Sequence, residues 1–238
     1  MTELDSALRD LVTANRILAN EGVVDAFGHV SLRHPGNPGR YWLSRSRAPQ
    51  LVTIDDLMEY TLLGDPVDQQ GRPMYAERPI HGAIYEARPD VQAVVHNHSQ
   101  AVIPFSVTTV PLRPIFHLAA VIGAQVPVWD IRGRFGDTDL LVTTMEQGRD
   151  LAKTLGDGRT ALMRGHGCVV TGDSVRAAVM ASVYLQVNAH LLSESLRLGE
   201  VTYLSPGEVT KMAETQLRPL SGNRAWEYWA ARAGCEPA

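Results

Sequence analysis

Val91-Gln92-Ala93-Val94-Val95-His96-Asn97-His98 decides the reading of this chain. Its valine-rich first half, bounded upstream by Pro89, reads as a short buried strand. Successive side chains of a strand point to opposite faces, so His96 and His98, at i and i+2, leave the strand end on one side. That geometry lets both imidazoles reach one ion, and neutral imidazole is the commonest ligand for a borderline divalent metal. A third histidine, in Arg164-Gly165-His166-Gly167, stands between two glycines that permit close backbone approach and unusual dihedrals. Three nitrogen ligands would leave coordination positions open for chemistry. An HxH pair alone is a weak signal. Taken by itself, His166 serves equally well as a loop histidine bonded to a backbone carbonyl.

The composition narrows the classes. At 238 residues the chain can bury a full core and suits one large domain or two small ones. With 45% hydrophobic and 20% charged residues it is ordinary for a globular protein. A net charge of −4 without any basic block lacks the clustered cationic footprint that nucleic acid requires. The start, Met1-Thr2-Glu3-Leu4-Asp5, has neither the positive nor the apolar region of a signal peptide. No apolar run approaches the roughly 20 residues that span a bilayer. The two cysteines, Cys168 and Cys235, do not make a disulfide framework. The expectation is a cytoplasmic protein with no nucleic-acid or membrane partner.

Working outward, Thr2 and Asp5 resemble a helix N-cap with its acidic partner, followed by the helical stripe Leu4, Leu8, Leu11, Val12 and Leu18 up to Gly22. Val30–Leu32 reads as a strand, and residues 34–39 as a hairpin connection. Thr53 is expected to cap a short helix over 54–58, with another hairpin turning at 68–72. Glu77-Arg78-Pro79 opens a helix to about Glu86, with proline early, where its missing N–H costs nothing. A helix from Ser99 is expected to pack back on the valine strand. Pro127–Trp129, Leu140–Val142, Thr160–Met163 and Val169–Thr171 are strand candidates. Thr144 caps a helix to about Leu155, and Ser174 starts the longest helix, to about Leu198. Ser205-Pro206-Gly207-Glu208 is a capping box with proline at its first helical position. The last helix carries Trp226, Tyr228 and Trp229. No repeat or linker divides the chain. It reads as one mixed α/β domain over 1–238, with 205–238 a C-terminal helical extension.

Glu77-Arg-Pro-Ile-His81, His96-Asn-His98 and Arg164-Gly-His166-Gly, in this order and in these strand and loop contexts, resemble the class II aldolase/adducin family. The resemblance extends from the N-terminal helix to about residue 200. It implies a single three-layer αβα fold around a central mixed, largely antiparallel sheet, with one divalent metal ion per subunit (Zn, Mn, Fe or Co). Carried over by position, it makes His96, His98 and His166 the metal ligands and Glu77 the acid/base group. It also implies a homo-oligomer, a tetramer in many relatives. A carboxylate near a cation and partly desolvated can have its pKa tuned toward either role. A solvated first-turn glutamate, favoured by the helix dipole, is the plainer reading of Glu77. His81 is expected to orient Glu77 or pack beneath the site. His117 reads as a core histidine or a site residue, and Tyr184 as packing.

Departures from the sugar-phosphate branch direct the functional expectation. Where that branch holds phosphate with a Gly-Asn segment, a Ser/Thr-Gly loop and a Ser-Ser pair, this chain has Gly28-His29, Leu43-Ser44-Arg45-Ser46 and Tyr75-Ala76. An asparagine amide and two hydroxyls that a phosphate would use are gone. His29 offers a ring donor and Tyr75 an aromatic face. Arg45, Arg47, Arg78, Arg113, Arg132 and Arg164 offer guanidinium groups that can fork onto carboxylates. Of these, Arg78, Arg113 and Arg164, with Tyr75, are the expected substrate contacts, and Glu77 and His29 the catalytic pair. Phe27-Gly-His29-Val-Ser31, Leu112–His117 and Trp129–Arg132 resemble the branch that decarboxylates ortho-hydroxylated aromatic acids. The expected function is therefore metal-dependent decarboxylation of a dihydroxyphthalate-like aromatic dicarboxylate. The alternative is an aldolase or epimerase acting on an unphosphorylated hydroxycarbonyl substrate. An adducin-like binding module is disfavoured, because such domains lack the three histidines.

Overall fold

Seven strands, β1 (His29–Arg33), β2 (Arg40–Ser44), β3 (Leu57–Thr61), β4 (Ala93–Asn97), β5 (Val128–Trp129), β6 (Thr160–Met163) and β7 (Gly167–Gly172), form one sheet in the order β3-β2-β1-β4-β7-β6-β5. Every neighbouring pair runs antiparallel except β5 and β6, which are parallel. This is the mixed, largely antiparallel sheet expected. The computed structural model describes residues 2–235; residue 1 and residues 236–238, the outer ends of the expected domain and of its C-terminal extension, lie outside the described residues.

Strand alternation divides the core between the two faces. Val30, Leu32, Ala93, Val95, Cys168 and Val170 pack with α1 (Glu3–Asn20), α6 (Val175–Leu198) and α8 (Pro219–Arg232). Val94, Ala161, Met163 and Val169 pack with Ile80 and Ile84 of α2 (Arg78–Ala87) and with Leu151 and Leu155 of α5 (Met145–Leu155). The result is three layers, and each fully buried Leu, Ile or Val contributes about 1.5–3 kcal/mol. His96 has the parity of Val94, and His29 and Ser31 have the parity opposite to Val30, so all three polar residues fall on the α2 face. Among the described residues no helix is long and apolar enough to cross a membrane.

The helix starts follow their capping residues. Thr2 and Asp5 exchange bonds of 2.9 and 3.1 Å, Thr144 accepts from the Gln147 amide, and Ser174 accepts from Ala177. Ser205 and Glu208 close the capping box ahead of α7 (Pro206–Gln216). In α8, Trp226 and Trp229 are buried on the body while Tyr228 is exposed.

Four local expectations are corrected. Thr53 does open a helical turn, but it is a 3-10 turn of only three residues, Ile54–Asp56. Leu57 and Met58 leave it to pair with Ser44 and Leu43 in the sheet. At Asp68–Arg72 the chain turns but no strand follows; the reversal of β3 comes earlier, at a Tyr60–Pro66 bridge. The segment after Ser99 gives only α3 (Ile103–Ser106), since Pro104 cannot donate to a helical ladder and restricts its predecessor. Leu140–Val142 is not a strand. The Thr138 hydroxyl and Asp139 carboxylate capture the Leu140 and Leu141 amides at 3.0 and 3.1 Å, bending the chain so that Leu140 adopts φ 68°.

Candidate metal centre

β4 ends where the expected histidines stand. His96 is the fourth residue of the strand, opposite His29 of β1 and Val169 of β7, and His98 follows one residue beyond its end. His166 lies in the three-residue loop of the β6–β7 hairpin, with its amide bonded to Met163 O at 3.0 Å. Gly165 in that loop has φ +66°, a conformation that favours glycine. Gly167 opens β7 so close to β4 that a Cβ would stand 2.1 Å from Asn97 O. The two glycines thus have separate steric reasons to flank His166.

The imidazoles converge through one nitrogen each. His98 Nε2 lies 3.0 Å from His96 Nε2 and 3.0 Å from His166 Nε2. Glu77, the N-cap of α2, brings Oε2 to 3.5 Å from the Nε2 atoms of both His96 and His166. The four ligand atoms all fall within 4.8 Å of one another.

The outer nitrogens decide how this cluster is protonated. His96 Nδ1 is 3.1 Å from Cys168 O, and His166 Nδ1 is 2.9 Å from Leu140 O. A carbonyl only accepts, so both rings carry their proton on Nδ1 and turn an Nε2 lone pair inward. Inward-facing lone pairs at such separations repel unless a cation lies between them. Nitrogens bound tetrahedrally at zinc distances stand about 3.3 Å apart, close to the spacing here. His96, His98, His166 and Glu77 therefore fit a divalent ion. The metal-ligand and carbonyl-bonded readings of His166 are satisfied together, one at each ring nitrogen.

Electrostatics follow from burial and proximity. Burial works to raise the Glu77 carboxyl, but positive charge at the His96 and His166 nitrogens, where a bound cation would stand, outweighs it and holds the group well below the usual carboxylate range. Burial, reinforced by His96 and His166, draws His98 down to about 4. His29 is also held well below its ordinary value, by burial first and then by His81 and His96. Glu77 Oε1 accepts from the Val142 amide at 3.0 Å, which fixes the carboxylate and points Oε2 at the histidines.

A cavity of about 440 Å³ opens on this cluster, lined by Phe27, His29, Arg47, Tyr75, Glu77 and Leu141 among others. His98 separates it from a larger cavity of about 570 Å³ beside Asp25, Gln186 and His190. Glu77 and the buried His29 line only the smaller one. Tyr75 stacks at 4.5 Å, tilted, against His29, and its hydroxyl donates to Arg47 O and lies 3.2 Å from Ser44 Oγ.

The structure places the expected arginines elsewhere. Arg78 donates to Gly64 O at 2.7 Å and to Tyr75 O at 3.0 Å, and it does not line the cavity. Arg113 lies 4.5 Å over the Tyr203 ring. Arg164 pairs with Asp130 at 2.8 Å. The guanidinium that lines the cavity is Arg47, held through Nε by Leu51 O at 2.8 Å and by Asp56 at 3.4 Å. Among the described residues its two terminal nitrogens make no hydrogen bond and can fork onto a ligand. His117 is exposed at the start of a 3-10 turn and lies in neither cavity. Phe27 entered the sequence reading only through the Phe27–Ser31 motif and Leu141 only as part of a strand candidate; their place as cavity walls, and the backbone support from Leu140 and Val142, went unrecognised. The only sequence signal for that support was the turn-forming Thr138-Asp139 pair.

Residues 9–192 match the family described as class II aldolase and adducin N-terminal domain. The chain is 31% identical to the decarboxylase TropJ of Talaromyces stipitatus, over 93% of this chain and 92% of that protein. It is 30% identical to the 3,4-dihydroxyphthalate decarboxylase of Arthrobacter keyseri, over the same shares. An aldolase II superfamily protein from Pseudomonas syringae superposes with a TM-score of 0.80 at 22% identity, covering 98% of this chain and 94% of that one. On the extent of the family match and the near full-length likeness to these relatives, this chain belongs to the class II aldolase and adducin family.

Proposed function

We propose that the protein is a divalent-metal-dependent decarboxylase of an ortho-hydroxylated aromatic dicarboxylate, of the dihydroxyphthalate kind. Family and relatives make it a carbon–carbon lyase. The observation that carries the finer reading is the cavity. A three-histidine, one-glutamate cluster opens on a slot walled by Phe27, Tyr75 and Leu141, with one guanidinium, Arg47, able to fork onto a carboxylate. Such walls suit a flat ring better than a sugar phosphate.

A divalent ion held by His96, His98 and His166 would supply Lewis acidity toward oxygens of the substrate. The chain's own groups do the rest. Arg47 anchors the carboxylate that stays and thereby sets which one leaves. Glu77, ionised and held on the Val142 amide at Oε1, takes the proton of the substrate's ortho hydroxyl at Oε2 and delivers it to the ring carbon that bears the leaving carboxylate. The C–C bond then breaks, its electron pair returns to the ring, and CO2 departs. His29, at the back of the slot, orients the neighbouring oxygen.

Side-by-side turnover of an ortho-hydroxylated aromatic dicarboxylate and of an unphosphorylated hydroxyaldehyde tests this reading. Release of CO2 from the first and no cleavage of the second is expected. Retro-aldol cleavage of the second with no CO2 from the first would replace the decarboxylase by the aldolase alternative.

A further inference from the structure

Four polar groups beneath the cavity form one continuous file. His29 Nδ1 lies 2.6 Å from His81 Nε2, and His81 Nδ1 lies 2.6 Å from Ser31 Oγ. Ser31 Oγ in turn lies 2.8 Å from the Tyr85 hydroxyl. None of the four residues is more than 4% exposed. The file has two parents: β1 supplies His29 and Ser31, two residues apart on one strand face, and α2 supplies His81 and Tyr85, four apart on one helix face.

Proton counting leaves three arrangements. Each neutral imidazole that accepts at one ring nitrogen donates at the other, while Ser31 has one O–H and two lone pairs. If Ser31 accepts from both His81 and Tyr85, its own buried proton has no acceptor among the described residues, which is disfavoured. Running inward, His29 donates to His81, His81 to Ser31 and Ser31 to Tyr85. The Tyr85 proton then has no acceptor among the described residues, although the side chain is buried, and a buried donor without a partner is disfavoured. Running outward, Tyr85 donates to Ser31, Ser31 to His81 Nδ1, and His81 Nε2–H to His29 Nδ1. Every buried proton is then accepted. The one left over sits on His29 Nε2, the ring nitrogen not used in the file, on a residue that lines the cavity.

We propose that Tyr85, acting through Ser31 and His81, fixes His29 as its Nε2–H tautomer, so that His29 is a hydrogen-bond donor to the ligand. Tyr85, Ser31 and His81 are positioning residues; His29 is the group that meets substrate. The ligand atom it takes is an acceptor oxygen, phenolate or carboxylate, and an amine or other donor at that place is excluded. The tautomer is independent of the reaction catalysed. Only the assignment of that oxygen to an aromatic acid rests on the proposed decarboxylase function.

The test is an NMR spectrum of histidine-15N-labelled protein, as purified and after addition of Zn2+, with signals assigned through His29→Gln and His81→Gln. The expected result is a proton bonded to His81 Nε2, coupled across the hydrogen bond to a bare His29 Nδ1, with the His29 proton on Nε2. A proton covalently attached to His29 Nδ1 would overturn the inference. In Ser31→Ala the file is cut, and His81 is expected to populate both tautomers. An unchanged single tautomer there would also overturn it, because the hydroxyls would not be setting the direction. The wild-type spectrum is decisive by itself if that variant does not fold. Catalytic activity plays no part in either measurement.

Discussion

Glu77 accepts a 3.0 Å hydrogen bond from the Val142 amide at Oε1, and this bond turns Oε2 toward His96 and His166. The same short loop gives Leu140 O to His166 Nδ1. One irregular segment therefore aims both the carboxylate and a histidine of the candidate centre, which explains why it bends rather than pairs as a strand.

His96→Ala and His166→Ala each remove an inward lone pair and leave a backbone carbonyl without its imidazole donor. Both variants should lose bound metal and turnover together, read by elemental analysis of the dialysed protein beside an activity assay. A metal-free variant that turns over at the wild-type rate would contradict the centre.

Glu77→Gln keeps the shape of the side chain and its bond to Val142 but removes the ionisable group. Metal content should persist, while turnover should fall by about 10²–10⁴, the span typical of a lost general acid or base. Near wild-type turnover in this variant would take Glu77 out of the chemistry.

Gly167→Ala tests the backbone contact beneath the site. Its Cβ would stand 2.1 Å from Asn97 O and 3.1 Å from His98 Cδ2, so β7 must move away from β4 and His98 must shift. A stability loss of about 1–3 kcal/mol is expected, as for other overpacked cores. Weakened metal binding should accompany it although no ligand is changed. Denaturant melts and metal titration read the two effects, and wild-type values for both would refute the close approach.

Acid should destabilise the fold through His81. Burial, with His96 adding to it, lowers this imidazole from an ordinary 6.5 to about 3. Between those values the unfolded chain binds the proton and the folded chain does not. The stabilisation is therefore complete above pH 6.5 and is lost as pH falls toward 3, at roughly 1.4 kcal/mol per unit for one such group. Denaturant melts at pH 7, 6 and 5 with EDTA in every sample check this without a contribution from metal. Flat stability across that range would contradict it, and His81→Gln should show a shallower slope than wild type.

Much of the site was legible because its signals are short-range. His96 and His98 share a side through strand period, and the starts of α2, α5, α6 and α7 were marked by Pro79, Thr144, Ser174 and Ser205. The β3–β2–β1–β4 edge of the sheet depends on pairing between distant segments, and no local pattern specifies that Leu57 and Met58 prefer Ser44 and Leu43 to a helix. The arginines show the same limit. Arg78 lies next to Glu77 in sequence, yet the helix turns its guanidinium back onto Gly64 and Tyr75, while Arg47 arrives from a loop anchored by Asp56. The file below His29 lay between these cases. Ser31 stands at i+2 from His29 and Tyr85 at i+4 from His81, spacings that by themselves point to no function, and only the packing of α2 on β1 makes them one chain of hydrogen bonds.

The most direct measurement of the central claim is CO2 release from 3,4-dihydroxyphthalate by the purified protein loaded with Mn2+ and, separately, with Zn2+, followed by mass spectrometry. Conversion with at least one of the two metals, abolished by EDTA and restored by adding that metal back, is the predicted result. Conversion that continues undiminished in EDTA, or no loss of CO2 with either metal, would contradict the account.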